Sequence, residues 1–147
     1  MSAERFTLDT NLLVYAIDRD AGERHQQAIT IVDRAVEQDC VLTLQVLAEF
    51  FHAVTRKGKM PIAEASEQVS DWQIMFPVVA ADGQALTRAM STVQRHNLPF
   101  WDALLWATAK AAGVSVLLSE DFQDGRELEG VQFRNPFAME DPYAVCR

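Results

Sequence analysis

Val114-Ser115-Val116-Leu117-Leu118-Ser119-Glu120-Asp121 is an apolar, partly β-branched run that stops on polar and acidic residues. Its length and composition predict a buried strand over Val114 to Leu118 that delivers an acid at its carboxyl end. Upstream, apolar residues at helical spacing predict a helix from about Phe100 to Ala112, closed by Gly113. Downstream, Val131-Gln132-Phe133 reads as a further short strand leading into a proline-containing tail. The same alternation extends back to the amino end. Phe6-Thr7-Leu8 is a short apolar run stopped by Asp9, followed by a short helix over Asn11 to Ala16. Ala28, Ile31, Val32, Ala35 and Val36 recur at helical spacing and predict a helix from about Glu23 to Gln38. Cys40 to Leu44 reads as a strand and Gln45 to Lys57 as a helix with Gly58 as its C-cap. A helix follows with Pro61 in or near its first turn and reaches about Met75, then a strand at Val78-Val79 and a helix from Gly83 to His96. Strands alternating with helices along the chain mean an α/β fold with a mainly parallel central sheet and helices on both faces.

The chain has 147 residues, 49% of them hydrophobic and 23% charged, which suits one globular domain over residues 1–147 with a core over about 5–137. No repeat, low-complexity tract or linker supports a second domain. No stretch approaches the length of a membrane span, and Met1-Ser2-Ala3-Glu4-Arg5-Phe6 lacks the pattern of a signal peptide. Cys40 and Cys146 form neither a disulfide framework nor a metal-ligand spacing, so a cytoplasmic protein with reduced thiols is expected. Lys and Arg number 13 against 21 Asp and Glu, a net charge of −8. That excess argues against a nucleic-acid coat whose affinity rests on a broad basic surface.

The placement of the acids is more informative than their number. Asp9 and Asp121 each end a strand-like run, and the carboxyl ends of neighbouring parallel strands form the ligand crevice of an open α/β sheet. Each acid taken singly is equally a helix cap. Glu49 lies in Val46-Leu47-Ala48-Glu49-Phe50-Phe51, the most apolar part of its helix, where a carboxylate either meets a positive partner or faces water. Asp102 stands in the first turn of its helix among Phe100, Trp101, Leu104 and Leu105. A helix dipole alone accounts for it at about 0.3–1 kcal/mol. One acidic pocket at one end of the sheet accounts for all four together.

Such a pocket needs a counter-charge, because two carboxylates about 4 Å apart repel by roughly 4 kcal/mol at an effective dielectric near 20. Either one carboxyl keeps its proton or a divalent cation neutralises the set. Oxygen ligands without His or Cys favour Mg²⁺, with Mn²⁺ as the alternative. His25, His52 and His96 show no ligand spacing. The chemistry natural to such a site is metal-assisted hydrolysis of a phosphodiester.

With these residues in view, the chain resembles the PIN-domain ribonucleases, and among them the VapC-type toxins of bacterial toxin–antitoxin pairs. Leu8-Asp9-Thr10-Asn11-Leu12-Leu13-Val14-Tyr15 resembles that family's opening strand and first acid. Val46-Leu47-Ala48-Glu49-Phe50 resembles its second block, Phe100-Trp101-Asp102-Ala103-Leu104-Leu105 its third, and Leu117-Leu118-Ser119-Glu120-Asp121-Phe122 its fourth. The likeness runs from Phe6 to about Phe137. It implies a Mg²⁺- or Mn²⁺-dependent endoribonuclease, usually a homodimer held inactive by a cognate antitoxin. By the match, Asp9 and Asp102 are the principal metal ligands, Glu49 completes the site, and Asp121 is the fourth acid, with Glu120 and Asp124 close enough to compete. Asn11 and Ser119 are supporting hydrogen-bonding groups, with a helix cap and a loop hydroxyl as their plain alternatives.

A PIN-like module that binds RNA or protein without cleaving is the competing function. A phospho-acceptor receiver fits poorly, since Asp9 is followed by Thr10-Asn11 and no Lys follows Leu118. Asp9-Thr10-Asn11 also lacks the second Asp of a haloacid-dehalogenase-type phosphatase. Arg56-Lys57-Gly58-Lys59 is either an RNA-phosphate contact or a solvated helix end. Trp72, Trp101, Trp106 and Phe50-Phe51 read as core or a dimer interface in preference to base-stacking platforms. Met139 to Arg147 is a tail, either packed on the domain or mobile.

Overall fold

The computed structural model describes residues 4–146; Met1 to Ala3, at the start read as lacking a signal-peptide pattern, and Arg147 lie outside them. β1 (Phe6–Leu8) runs into α1 (Thr10–Ile17), and a 3₁₀ turn over Arg19–Ala21 leads to α2 (Glu23–Ala35). β2 (Leu42–Thr43), α3 (Leu44–Arg56), α4 (Ile62–Met75) and β3 (Val78–Val79) follow. Next come α5 (Gly83–His96), α6 (Phe100–Ala111) and β4 (Val116–Leu118), then β5 (Glu127–Leu128) and β6 (Val131–Arg134). Two 3₁₀ turns, Pro136–Ala138 and Ala144–Cys146, end the described chain.

β1 pairs in parallel with β4, placing Leu8 opposite Leu118, and β4 pairs in parallel with β6. β5 turns back antiparallel on β6, giving the order β1-β4-β6-β5. β2 and β3 form a separate parallel pair. A parallel bridge between Phe6 and Cys40, with bonds from Phe6 N to the Asp39 carbonyl and from Val41 N to the Phe6 carbonyl (both 3.1 Å), lays that pair along the free side of β1. All three residues of β1 and all three of β4 are buried, so both faces of the sheet are covered there. This is the expected α/β architecture with a mainly parallel sheet.

Local chemistry explains the element ends. Asp9 caps α1, Thr43 Oγ accepts from Val46 N (3.2 Å) to start α3, and Asp82 accepts from Ala85 N (2.9 Å) to start α5. Asn97, at φ 55°, ends α5 in the left-handed conformation that Asn tolerates better than most residues. Gly58, at φ 68°, follows α3 as expected. Pro61 and Pro99 stand at the caps of α4 and α6, just outside the first turn.

Several boundaries differ from the sequence reading. α2 stops at Ala35, because Val36 to Gln38 form tighter turns that steer the chain into the bridge at Cys40. The strand read as Cys40 to Leu44 pairs regularly over Leu42–Thr43 alone, since Thr43 becomes the cap that hands Leu44 to α3. β4 starts at Val116, because Val114 N still bonds to the Ala109 carbonyl (3.0 Å) and closes α6. β5 was not anticipated. Its two residues are recognisable only by their pairing with β6.

Buried side chains from β1, α1, α2, α3, α6, β4 and β6 form one cluster that includes Phe6, Leu12, Ile31, Phe50, Trp106 and Phe133. Trp106 donates its indole N–H to the Leu128 carbonyl (3.1 Å), and Phe50 meets Trp72 edge-on. Trp101 departs from the core assignment: it is 63% exposed. The tail through Cys146 is packed, with Cys146 buried, Tyr143 and Val145 against the core, and the Arg34 guanidinium 4.8 Å from the Tyr143 ring centre. Both cysteines are buried free thiols, and burial pushes the Cys146 thiol up to about 11. Among the described residues no helix is long and apolar enough to cross a membrane.

Candidate active site

The parallel pairing of β1 with β4 continues one residue past β1, and that of β4 with β6 one residue past β4, which brings the exits of β1 and β4 together. Asp9 N donates to the Leu118 carbonyl (2.9 Å), and Ser119 N donates to the Arg134 carbonyl (2.9 Å). Asp9, 6% exposed, accepts from Thr10 N on Oδ1 (2.7 Å) and from Ser119 Oγ on Oδ2 (2.6 Å). The same Ser119 Oγ accepts from Asp121 N (3.0 Å), so one buried hydroxyl holds both the first acid and the loop carrying the fourth. Burial raises the Asp9 carboxyl to about 6, against the lowering pull of Ser119 and Thr10 and with Asp121 and Asp102 adding repulsion.

Asp102, in the first turn of α6, is half-buried, and its pKa is raised by burial, then by the charges of Asp121 and Glu49. Asp9, Asp102, Asp121 and Glu49 are thereby linked through mutual repulsion into one acidic group. Glu49 sits on the exposed side of α3, opposite the buried face formed by Val46, Leu47, Phe50 and Val54. Its Oε2 accepts from Thr10 Oγ1 (2.8 Å) and its Oε1 from Gln45 Nε2 (2.8 Å).

The rivals to Asp121 are engaged elsewhere. Glu120 accepts a short hydrogen bond from the Tyr15 hydroxyl and pairs with Arg24 (3.1 Å). Asp124 accepts from Asn135 N (2.8 Å) and pairs with Arg134 (3.3 Å), tying its loop to the end of β6. Asn11 is present at the start of α1, but neither atom of its buried carboxamide has a hydrogen-bond partner. The helix cap there is Asp9. Lys59 of the basic cluster is committed to Asp18 (2.7 Å), while Arg56 and Lys57 are exposed.

Two supporting residues escaped the sequence reading. Gln45 stands four residues before Glu49 on one helix face, a spacing that was available. Thr10 reaches Glu49 from a different element, and no sequence signal marks that contact.

Oxygen donors dominate the group, and among the described residues no Lys, Arg or His forms an ion pair with Asp9, Asp102, Asp121 or Glu49. Among the described residues no three His, Cys, Asp or Glu side chains are grouped so as to hold a metal ion by themselves. An open carboxylate set lacking a protein counter-charge suits a hard cation that keeps several waters, as Mg²⁺ does.

Comparison with known proteins bears on the family and the fold. The PIN domain family matches residues 6–123. A toxin–antitoxin complex from Klebsiella pneumoniae is similar in fold, with TM-score 0.60 and 21% identity over 88% of this chain and 95% of that one. VapC20 from Mycobacterium tuberculosis, described as a sarcin–ricin loop cleaving toxin, gives TM-score 0.61 and 16% identity over 76% and 86%. FitAcB from Neisseria gonorrhoeae gives TM-score 0.63 and 19% identity over 91% and 99%. No curated protein matches by sequence.

Proposed function

We propose, from the premise that this chain belongs to the PIN-domain family, that it is a divalent-metal-dependent endoribonuclease and the toxin of a toxin–antitoxin pair. The observation that carries the reading is the buried Asp9 carboxylate, held by Ser119 and Thr10 among the charges of Asp102 and Asp121 without a protein cation. In this reading Asp9 and Asp102 hold Mg²⁺ or Mn²⁺, with Glu49 and Asp121 completing the site directly or through water. When bound, the cation neutralises the carboxylates, acidifies water and offsets charge on the phosphoryl oxygens.

The chain's own groups then have distinct tasks. Ser119 orients Asp9 and anchors the Asp121 loop through one hydroxyl. Thr10 and Gln45 hold Glu49 at the rim, where an exposed carboxylate is placed to exchange protons with water near the scissile phosphate. Tyr15 and Arg24 occupy Glu120, which leaves Asp121 as the acid of that loop facing Asp9.

The partners follow from the same reading: RNA as substrate, an antitoxin as inhibitor and a second copy of the chain as dimer partner. The Klebsiella pneumoniae relative is a toxin–antitoxin complex, and the shared fold supports the antitoxin. The net charge of −8 suits a basic antitoxin segment. The test is cleavage of RNA by purified protein with Mg²⁺ or Mn²⁺, abolished by a chelator and by Asp9→Asn or Asp102→Asn in folded protein. Equal cleavage by the double variant, in preparations free of other nucleases, overturns the assignment. Metal-dependent RNA binding without hydrolysis favours a non-cleaving module instead.

A further inference from the structure

Trp101 immediately precedes Asp102 in the first turn of α6, yet its side chain is turned out of the core at 63% exposure. Its ring meets Phe100 edge-on, with centroids 5.0 Å apart and 69° between planes, which restricts the indole's orientation. With Leu44, Ala48, Ala81 and Leu104 it lines a predominantly apolar groove of about 730 Å³. Leu44 is itself 49% exposed. An exposed indole and an exposed leucine lining one groove mark a contact surface.

The groove is continuous with the acidic site. Glu49 lines it and also belongs to the carboxylate group acting on Asp102. Gln45 clamps the two together, its Nε2 donating both to Glu49 Oε1 (2.8 Å) and to the Trp101 carbonyl (3.0 Å). An occupant of the groove therefore lies beside whatever the carboxylates hold. Successive residues on a helix point about 100° apart, so Asp102 and Trp101 address adjoining spaces.

We propose that this groove is the nucleobase subsite for the RNA substrate, with Trp101 as the stacking platform for a base next to the scissile phosphate; this rests on the nuclease reading above. The chemistry matches a nucleotide in two parts, with the phosphate directed to a cation at the carboxylates and the uncharged face of the base laid on indole and aliphatic carbon. A base must leave its helical stack to lie on an aromatic ring, so binding through this platform requires an unpaired base.

The test uses the full chain in Mg²⁺ and a labelled single-stranded oligoribonucleotide of mixed sequence, beside a perfect RNA duplex of the same sequence. Anisotropy reads binding with Asp9 in place and Ca²⁺ substituted for Mg²⁺ in that reading, and a denaturing gel verifies that the RNA stays intact. Trp101→Ala is expected to weaken single-strand binding by about 5- to 100-fold, with Trp101→Phe recovering most of the loss and duplex binding little changed. Trp72 and Trp106 are buried, so RNA-induced quenching of the exposed indole should disappear in Trp101→Phe. Unchanged single-strand affinity in Trp101→Ala overturns the subsite. So does a loss of self-association in that variant, read by sedimentation, with RNA affinity intact, since the groove is then an interface between copies. Hydrolysis by the wild type with an unaltered KM in Trp101→Ala overturns the subsite and leaves the nuclease reading standing. Trp101-dependent RNA binding without hydrolysis does the reverse.

Discussion

Asp9 joins three demands in one carboxylate: it caps α1, accepts the Ser119 hydroxyl and lies buried beside other acids. Burial dominates, and the folded carboxyl titrates near 6 against an ordinary value of 3.8. The folded protein thus binds more protons than the unfolded chain between those values, so stability of the cation-free protein falls as pH rises through that window. The full penalty is about 3 kcal/mol and is present above pH 6. Urea titrations in chelator should show this decline, and Asp9→Asn should flatten it while removing cleavage. Ser119→Ala should act in the opposite sense. The Ser119 bond lowers the Asp9 pKa, so its loss should cost about 1–3 kcal/mol near neutral pH and raise the Asp9 titration in carboxyl NMR. The acids were legible as residues that stop apolar runs. Which of Glu120, Asp121 and Asp124 faces the site was not, because Glu120 is drawn off by Arg24 and Tyr15, 96 and 105 residues away, and Asp124 by Asn135 on the far side of the β5–β6 hairpin.

Helix caps separate elements that position the site from elements that only support it. Thr43 starts α3, the helix that carries Glu49 and Gln45, and its hydroxyl is buried with its bond to Val46 N. Thr43→Ala should cost about 1–2 kcal/mol in denaturant melts. It should also lower cleavage beyond the loss of folded protein, because α3 sets the approach of Glu49 to Thr10. Asp82→Ala removes the equivalent cap of α5, which carries none of the proposed catalytic groups. It should cost about 1 kcal/mol and leave kcat unchanged, and the pair of variants together isolates positioning from stability. α5 was legible from end to end because its apolar spacing and its left-handed Asn97 are local signals. β5 was invisible because two residues with one buried side chain have no period of their own.

Across the whole molecule, the sheet order converts separate motifs into a site. β1 beside β4 places Asp9 next to Ser119, and the chain reaches that adjacency only after more than a hundred residues. The resulting negative field is a stability cost that a cation reverses. At a concentration one hundred times its dissociation constant, Mg²⁺ or Mn²⁺ should raise stability by about 2.7 kcal/mol. Thermal melts should show the gain in the wild type and its loss in Asp9→Asn and Asp102→Asn. An unchanged melting temperature across a broad cation titration would remove the metal from this site.

The sequence alone determined the alternation of strands and helices, the family resemblance and the four candidate acids, because these rest on local composition, spacing and order. The tertiary structure decided which carboxylates gather, which are drawn off by Arg24 and Arg134, and that Trp101 stands out of the core beside Asp102. It also located part of the −8 excess, as an uncompensated acidic group at the sheet's carboxyl edge. The physical reason is range. Propensity and periodicity act over a few residues, whereas burial, repulsion and hydrogen bonding at this site join side chains brought together only by strand pairing and helix packing.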